Sequence, residues 1–451
     1  MKKIIGVCLT ETRSEYSREF IKFIYKHSKI NDVKVIIYNS ICNFSADNLR
    51  GARAVYYNIP YEKLDAIVIV HECFADSSLV DKILRYAKAA NTPVIMAGKY
   101  DPRCYSIVGD YEDVYTDMLK KIIKDRNVSE SLYIAGRNEP EIDFGSKIRI
   151  QCYKNALEEC GYEFKVKNVY FCGYDEAKVH HLIDKMIKNN QDIPRAIFCA
   201  NDRMAQTVMD VLKEHDYKIP QDFIVAGFDG MECFKCSAPN LSTCQNSLDD
   251  LCLKIFDAFN ELKGEGTLDN TFYYNYNAIF SESCGYSKPS DLNNDIMVND
   301  LYSTIKSMDI QMLESSRWSG FMLYKASLNK FYSQIDTYLK ANFQVALTPL
   351  EVAKVINKKY HALEDSMVLY SIDSETGMPK TENYITKQIV PNLEEWMVDD
   401  TMYFVTSLMV DGICYGLIYE KGSGNVSSTG YSVNDHAGTL IKVLTASANE
   451  D

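Results

Sequence analysis

The chain has 451 residues, 46% of them hydrophobic and 25% charged, with a net charge of −13 at pH 7. That length accommodates two or three domains with substantial cores, and the acidic balance argues against nucleic acid as the main partner, because phosphate contacts need a basic surface. No run reaches the length of a membrane span, and the apolar part of "MKKIIGVCLT" is too short for a signal peptide, so a cytoplasmic protein with no membrane partner is expected.

From the amino terminus, apolar runs recur at "IIGVCL", "VKVIIY", "DAIVIV", "TPVIMA", "SLYIAG", "AIFCA" and "FIVAGF". Helical patterns lie between them. Tyr16, Phe20, Ile24 and His27 share one face behind Ser14 as a candidate cap, and Leu79, Ile83 and Ala87 do the same behind Ser77 and Ser78. Continuous apolar strands alternating with helices predict parallel sheets covered on both faces. Seven such units suit two doubly wound α/β lobes. Two of the runs end in polar pairs, Asn201-Asp202 and Asp229-Gly230, at the carboxyl ends of predicted strands, where open α/β sheets bind ligands.

The fourteen cysteines show no framework spacing, which predicts reduced thiols. The pair Cys233 and Cys236 has no second ligand pair at matching spacing, so neither metal nor cofactor is expected. After Ala278 the pattern changes. Val298, Leu301, Ile305, Met308 and Met312 recur at steps of three and four. They form either a short dimerisation seam or the buried face of a helix packed on its own domain. From about Trp318 a helical stretch gives way to strand patterns in "DSMVLYSID" and "TMYFVTSLMVDGICYGLIYE", with Asp411-Gly412 as a tight hairpin turn and "VNDHAGTLIKVL" as a closing helix.

The stretch from Ala196 to Gly230 carries Asn201-Asp202-Arg203-Met204-Ala205, Ile219-Pro220-Gln221-Asp222 and Val225-Ala226-Gly227-Phe228-Asp229. In order and spacing it resembles the effector-binding domain of the lac-repressor and ribose-binding superfamily, the type I periplasmic-binding fold. "IIGVCLTETRSEYSREFIKFI", "SKIRIQCYKNALEECG", "PNLSTCQNS" and "AIFSESCG" extend the resemblance over residues 2–286, with Cys152 in place of a family glycine. The resemblance implies a domain over 1–287, with one lobe at about 1–103 and 235–268 and the other at about 104–234 and 269–287. A signalling or dimerisation helix over 288–325 and a separate α+β domain over 326–451, resembling a GAF domain, are expected to follow. This arrangement resembles the sensory region of bacterial signalling proteins, including diguanylate cyclases. No reading head for DNA precedes the first strand and no cyclase motif occurs, so an output beyond Asp451 or in a partner is expected, with no direct nucleic-acid contact.

By family position the ligand contacts are Tyr16, His71, Lys99, Arg149, Tyr174, Asn201, Asp229 and Gln245. These types suit a sugar, polyol or nucleoside-like molecule: Arg149 offers a planar fork, Asp229 accepts paired hydroxyls, the two amides do both, and the tyrosines stack. Gly98 stands where sugar binders carry aspartate, which counts against a ribose-like ligand. Asp202 is read as a helix cap and Asn201 as a ligand contact. The leading reading is a homodimeric small-molecule sensor. The alternative is a solute-binding protein for transport, and no catalytic constellation supports an enzyme.

Overall fold

The apolar runs become strands, seen in a computed structural model that describes residues 2–12, 14–40, 51–74, 76–138, 144–231, 237–262, 270–287, 343–347, 366–372, 379–385, 388–410 and 413–424. In chain order the strands are β1 (Lys3–Thr10), β2 (Val33–Ser40), β3 (Ala66–Val70), β4 (Val94–Ala97), β5 (Tyr105–Asp110), β6 (Ser131–Ala135), β7 (Val169–Phe171), β8 (Ala196–Cys199), β9 (Ile224–Asp229), β10 (Ser242–Asn246) and β11 (Thr271–Ile279). They are followed by β12 (Phe343–Leu347), β13 (Ser366–Ile372), β14 (Pro379–Ile385), β15 (Met402–Val410) and β16 (Ile413–Gly422). The chain divides into two units, one of 1–108, 248–272 and 304–451, the other of 109–247 and 273–303.

In the first unit the parallel order is β2-β1-β3-β4-β5. Every residue of β2 is buried. The helix Glu15–Ile30 packs on the helix Leu248–Glu261, burying Phe20 and Ile24 together with Ile255 and Phe256. Ser14 caps the first of these helices by accepting from the Ser17 amide. The helix Ser77–Ala89 starts one residue earlier than its serines suggest, because the Asp76 carboxylate accepts from the Ser78 amide and takes the cap. Leu79, Ile83 and Ala87 are buried as their spacing predicts.

The second unit repeats that strand order as β7-β6-β8-β9-β10, with β11 antiparallel on β10. The lobe boundaries move accordingly. The sequence reading placed 235–268 in the first lobe. The structure keeps β10 with β9 in the second unit and begins the first unit's return at Leu248, because β10 is hydrogen-bonded on both sides within the second sheet.

The larger correction concerns the carboxyl-terminal strands. Where they are described, the strands expected in a separate domain over 326–451 join the first unit's sheet. β15 pairs in parallel with β2, from Tyr403 opposite Ile36 to Thr406 opposite Asn39, and the first unit's sheet continues as β14-β13-β12-β16-β15-β2. Ala346, Met367, Leu369, Tyr384, Trp396, Tyr403 and Leu417 share one core with Ile36, Tyr38, Ile67 and Ile83. The physical reason lies in β2. An apolar strand left as an edge would present unpaired amides and carbonyls, and β15 satisfies them. β15 and β16 pair antiparallel up to Val410 and Ile413, on either side of Asp411-Gly412, which lies outside the described residues. The expected seam over Val298–Met312, the linker 288–325, the closing helix and the Cys233–Cys236 pair also lie outside them. Among the described residues, every cysteine is a free thiol and no helix is long and apolar enough to cross a membrane.

One buried cation marks the junction of β2 and β15. Lys34 is 5% exposed, and its Nζ donates to the Asp399 carbonyl at 2.8 Å, the Asp399 carboxylate at 3.2 Å and the Thr401 carbonyl at 3.1 Å. The ammonium sits 4.7 Å from the centre of the Trp396 ring. Burial lowers its pKa, and Asp399 opposes that shift. Lys34→Ala leaves two carbonyls and a carboxylate short of a donor, so it should lower unfolding stability in urea by about 1–3 kcal/mol. An unchanged midpoint would mean that these bonds contribute nothing net.

Candidate functional site

The strand order reverses between β1 and β3 in the first unit and between β6 and β8 in the second. Each reversal leaves a crevice at the carboxyl ends, because the connections on either side run in opposite directions. The candidate residues gather at these ends, and the two sets are described separately.

In the second unit the organising group is Asp202. It is fully buried, and its carboxylate accepts from the Gly230 amide at 2.7 Å, the Met231 amide at 2.9 Å and the Thr243 hydroxyl at 2.6 Å. The cap expected of Asp202 therefore falls to Asn201. Asn201 is the cap of the helix Asp202–Glu214: its Oδ1 accepts from the Met204 amide at 3.0 Å. Asp202 ties the end of β9 to β10. The exchange has a geometric reason. The cap position precedes the first helical residue, and that residue's side chain turns back toward the sheet. The Asn201 amide nitrogen makes no hydrogen bond among the described residues, so it remains available to a ligand.

Two glycines record how closely Asp202 approaches. A Cβ on Gly227 would lie 2.2 Å from Asp202 Oδ1. Gly230 has φ of +73°, and a Cβ there would lie 2.3 Å from the Gln245 side chain. Asp229 itself has φ of +109°, a left-handed conformation that is unusual for a side chain with a Cβ. The turn thus holds Asp229 in a strained backbone against Gln245, whose Nε2 lies 3.5 Å from the Gly230 carbonyl.

Arg149, on the helix Phe144–Glu159, donates from Nη1 to the Ala200 carbonyl at 2.5 Å and lies 4.3 Å from the centre of the Phe228 ring. Its Nε is buried without a hydrogen-bond partner among the described residues. Burial works against the charge, but Tyr174 and Asp229, followed by Tyr111 and Tyr133, outweigh it and hold the pKa above the ordinary arginine value. Tyr174 follows Gly173 in a turn where both residues have positive φ, at +61° and +66°. The second unit therefore brings Arg149, Tyr174, Asn201, Asp229 and Gln245 to one end of its sheet. The Phe228 platform and the Asp202 tether were not singled out from the sequence. The signal for the first was the phrase Gly227-Phe228-Asp229, and for the second the Asn201-Asp202 pair, whose aspartate was expected as a cap.

In the first unit Tyr16 lies in the first helical turn after β1. That turn is tied to the end of β3: the Ser17 hydroxyl donates to the Thr10 carbonyl at 3.1 Å and lies 3.7 Å from the Cys73 sulfur, and the Thr10 hydroxyl donates to the Cys73 carbonyl. Burial pushes the Cys73 thiol up to about 12, so it is no nucleophile. His71 and Lys99 meet at the ends of β3 and β4, with Lys99 Nζ 3.3 Å from His71 Nε2. Burial, and then the neighbouring Lys99 ammonium, lower the His71 pKa to about 4. A neutral imidazole offers Lys99 an acceptor. Gly98, with φ of +91°, leaves room for Glu72, whose Cγ would lie 3.1 Å from an added Cβ. Among the described residues no group of three or more His, Cys, Asp or Glu side chains forms a metal site.

Residues 125–267 match the family model of the periplasmic binding protein-like domain. An HTH-type transcriptional regulator of Lachnoclostridium phytofermentans is 22% identical over 218 residues, 46% of this chain and 63% of that protein. Catabolite control protein A of Priestia megaterium is 21% identical over 236 residues, covering 52% of this chain and 68% of the relative. The chain thus spans somewhat under two thirds of the first relative's length and about two thirds of the second's. The crystal structure of the transcription regulator CcpA of Lactococcus lactis superposes with a TM-score of 0.52 at 20% identity, over 63% of this chain and 99% of that one. The lac repressor dimer bound to operator gives 0.51 at 14% identity, over 63% and 94%. The chain therefore carries a type I periplasmic-binding-like α/β fold. The relatives are regulators of transcription rather than enzymes, and they lend no support to a GAF-like domain or a cyclase output. One of the solved structures, the lac repressor dimer, was solved on operator DNA, so these relatives lend no support to the expectation of no nucleic-acid partner.

Two outcomes follow from this geometry. Asp202→Asn replaces one acceptor oxygen with an NH2 donor among two amides and a hydroxyl that donate there, and should cost about 2–3 kcal/mol in a denaturant melt. The His71 ring should titrate by NMR far below the usual 6.5, near 4. Its contribution has a definite sign: between 6.5 and about 4 the unfolded chain binds the proton that the folded chain refuses, so stability falls as pH drops through that window. Lys99→Ala should move the value upward but leave it below 6.5, because burial is the larger cause.

Proposed function

We propose that this protein is a sensor of a small polar molecule that regulates transcription, and that its type I periplasmic-binding-like fold is the sensing part. The observation that carries this reading is Arg149. A guanidinium laid on Phe228, with a buried Nε lacking a partner and the Asp229 carboxylate close by, is a preformed receptor for a ligand that both accepts and donates hydrogen bonds. Asn201 and Gln245 supply further amide groups, and Tyr174 supplies an aromatic wall. Tyr16, His71 and Lys99 of the first unit form a second set of candidate contacts. The ligand class is a sugar, polyol or nucleoside-like molecule, bound without turnover. The protein is read as cytoplasmic and homodimeric, by analogy with regulators such as the lac repressor dimer.

The test is a thermal-shift screen of the whole chain against sugars, polyols and nucleosides, followed by calorimetry. A ligand at about a hundred times its dissociation constant should stabilise the fold by about 2.7 kcal/mol. Arg149→Lys keeps the charge and loses the fork. Asp229→Asn keeps a residue type that tolerates positive φ. Each should weaken binding by about 2–5 kcal/mol while the protein stays folded. Wild-type affinity in both variants would remove the second unit's residues from the site.

A further inference from the structure

The carboxyl-terminal strands reach the candidate ligand turn of the first unit through a short chain of buried hydrogen bonds. Ser407, on β15, is 1% exposed. Its hydroxyl accepts from the Val55 amide at 2.9 Å and donates to the Ala52 carbonyl at 3.3 Å. The next residue, Tyr56, is fully buried, and its hydroxyl joins two strand ends: it donates to the Leu9 carbonyl at 2.5 Å and accepts from the Ser40 amide at 3.1 Å. The Ser40 carbonyl in turn accepts from the Glu11 amide at 2.9 Å. Glu11 has φ of +51° and opens the turn in which its own carbonyl accepts from the Ser14 amide at 2.8 Å. Ser14 caps the helix that carries Tyr16.

We propose that Ser407 and Tyr56 are positioning residues through which the β15 strand sets the conformation of the turn 11–17, so that the docked carboxyl-terminal sheet and the ligand turn sense one another. Two physical features favour transmission over a merely local bond. The Ser407 and Tyr56 hydroxyls each bond two backbone groups, so neither can shift without disturbing a buried amide and a carbonyl. The segment also ends at Glu11, a non-glycine residue in a left-handed conformation that persists only while its surroundings hold it. Loss of the Ser407 bonds frees residues 52–55, displaces the Tyr56 ring, and releases Leu9 and Ser40 from a shared donor and acceptor.

The inference rests on the proposed function only in taking Tyr16 as a ligand contact, and its test needs no ligand. Amide hydrogen exchange is followed in the whole chain for the wild type, Ser407→Ala, Ser407→Thr and Tyr56→Phe. Ser407→Ala should speed exchange about tenfold at Glu11, Ser14 and Ser40 as well as at Val55, as loss of a buried hydrogen bond would. Ser407→Thr, which keeps the hydroxyl, should restore it. Tyr56→Phe removes one oxygen without emptying the core, and should speed exchange of the Thr406 and Ser407 amides in the reverse direction. Acceleration confined to 52–55 in the first variant, or to Ser40 alone in Tyr56→Phe, overturns the proposal. A Ser407→Ala protein that unfolds leaves the decision to Tyr56→Phe. Failure of the ligand screen with this exchange pattern intact would fault the functional reading and not the coupling.

Discussion

A buried carboxylate shapes the second unit's binding end. Asp202 has no exposed surface, and its three hydrogen-bond donors come from two different strand ends. A charge taken out of water in this way is tolerable only if it is fully hydrogen-bonded. The backbone has adjusted to provide that bonding. Gly227 has no side chain because the carboxylate occupies its place, and the Asp229-Gly230 turn takes positive φ so that two successive amides point at the same oxygen. Asp229 reaches its position beside Arg149 as a consequence. The candidate receptor is thus preorganised by a residue that does not belong to it, which is how a site is kept rigid enough to select among similar ligands.

A different constraint governs the first unit. β2 is buried along its whole length, with five of its eight residues apolar or aromatic, and would be an aggregation-prone edge if left bare. The chain closes that edge with its own β15, and the pairing draws five strands into a core that continues without a break from Ile83 to Trp396. Lys34 is the charged residue on β2. It is tolerable because Asp399, Thr401 and the Trp396 ring replace its water. The far end of β2 borders the turn that leads into the helix carrying Tyr16, so the added strands and that turn share one strand.

Charge is arranged differently at the two sets of candidate residues. In the second unit neighbouring hydroxyls and a carboxylate keep Arg149 protonated despite burial. In the first, burial and Lys99 keep His71 neutral. One set therefore presents a permanent cation beside an anion. The other presents a neutral ring whose free electron pair faces an ammonium. Both suit a ligand with many neutral donors and acceptors better than one bearing a large net charge.

The sequence alone determined the α/β class and the paired doubly wound arrangement, because these follow from periodicity, while the reading of Arg149, Asp229 and Gln245 as ligand contacts came from the resemblance carried by phrases such as Val225-Ala226-Gly227-Phe228-Asp229. Short-range rules also located the cap at Ser14 and the buried face of Phe20 and Ile24. They failed where the outcome depended on a partner distant in the chain. Asp202 was expected as the cap, but Thr243 and Gly230, distant in the chain, take its carboxylate and leave the cap to Asn201. The strands after Phe343 carried the signature of a hairpin, and a hairpin is satisfied equally by a domain of its own or by a neighbouring sheet. Only the tertiary structure decided that β15 lies on β2, because edge pairing is made of backbone hydrogen bonds that every residue but proline can form, and so the sequence does not name the partner.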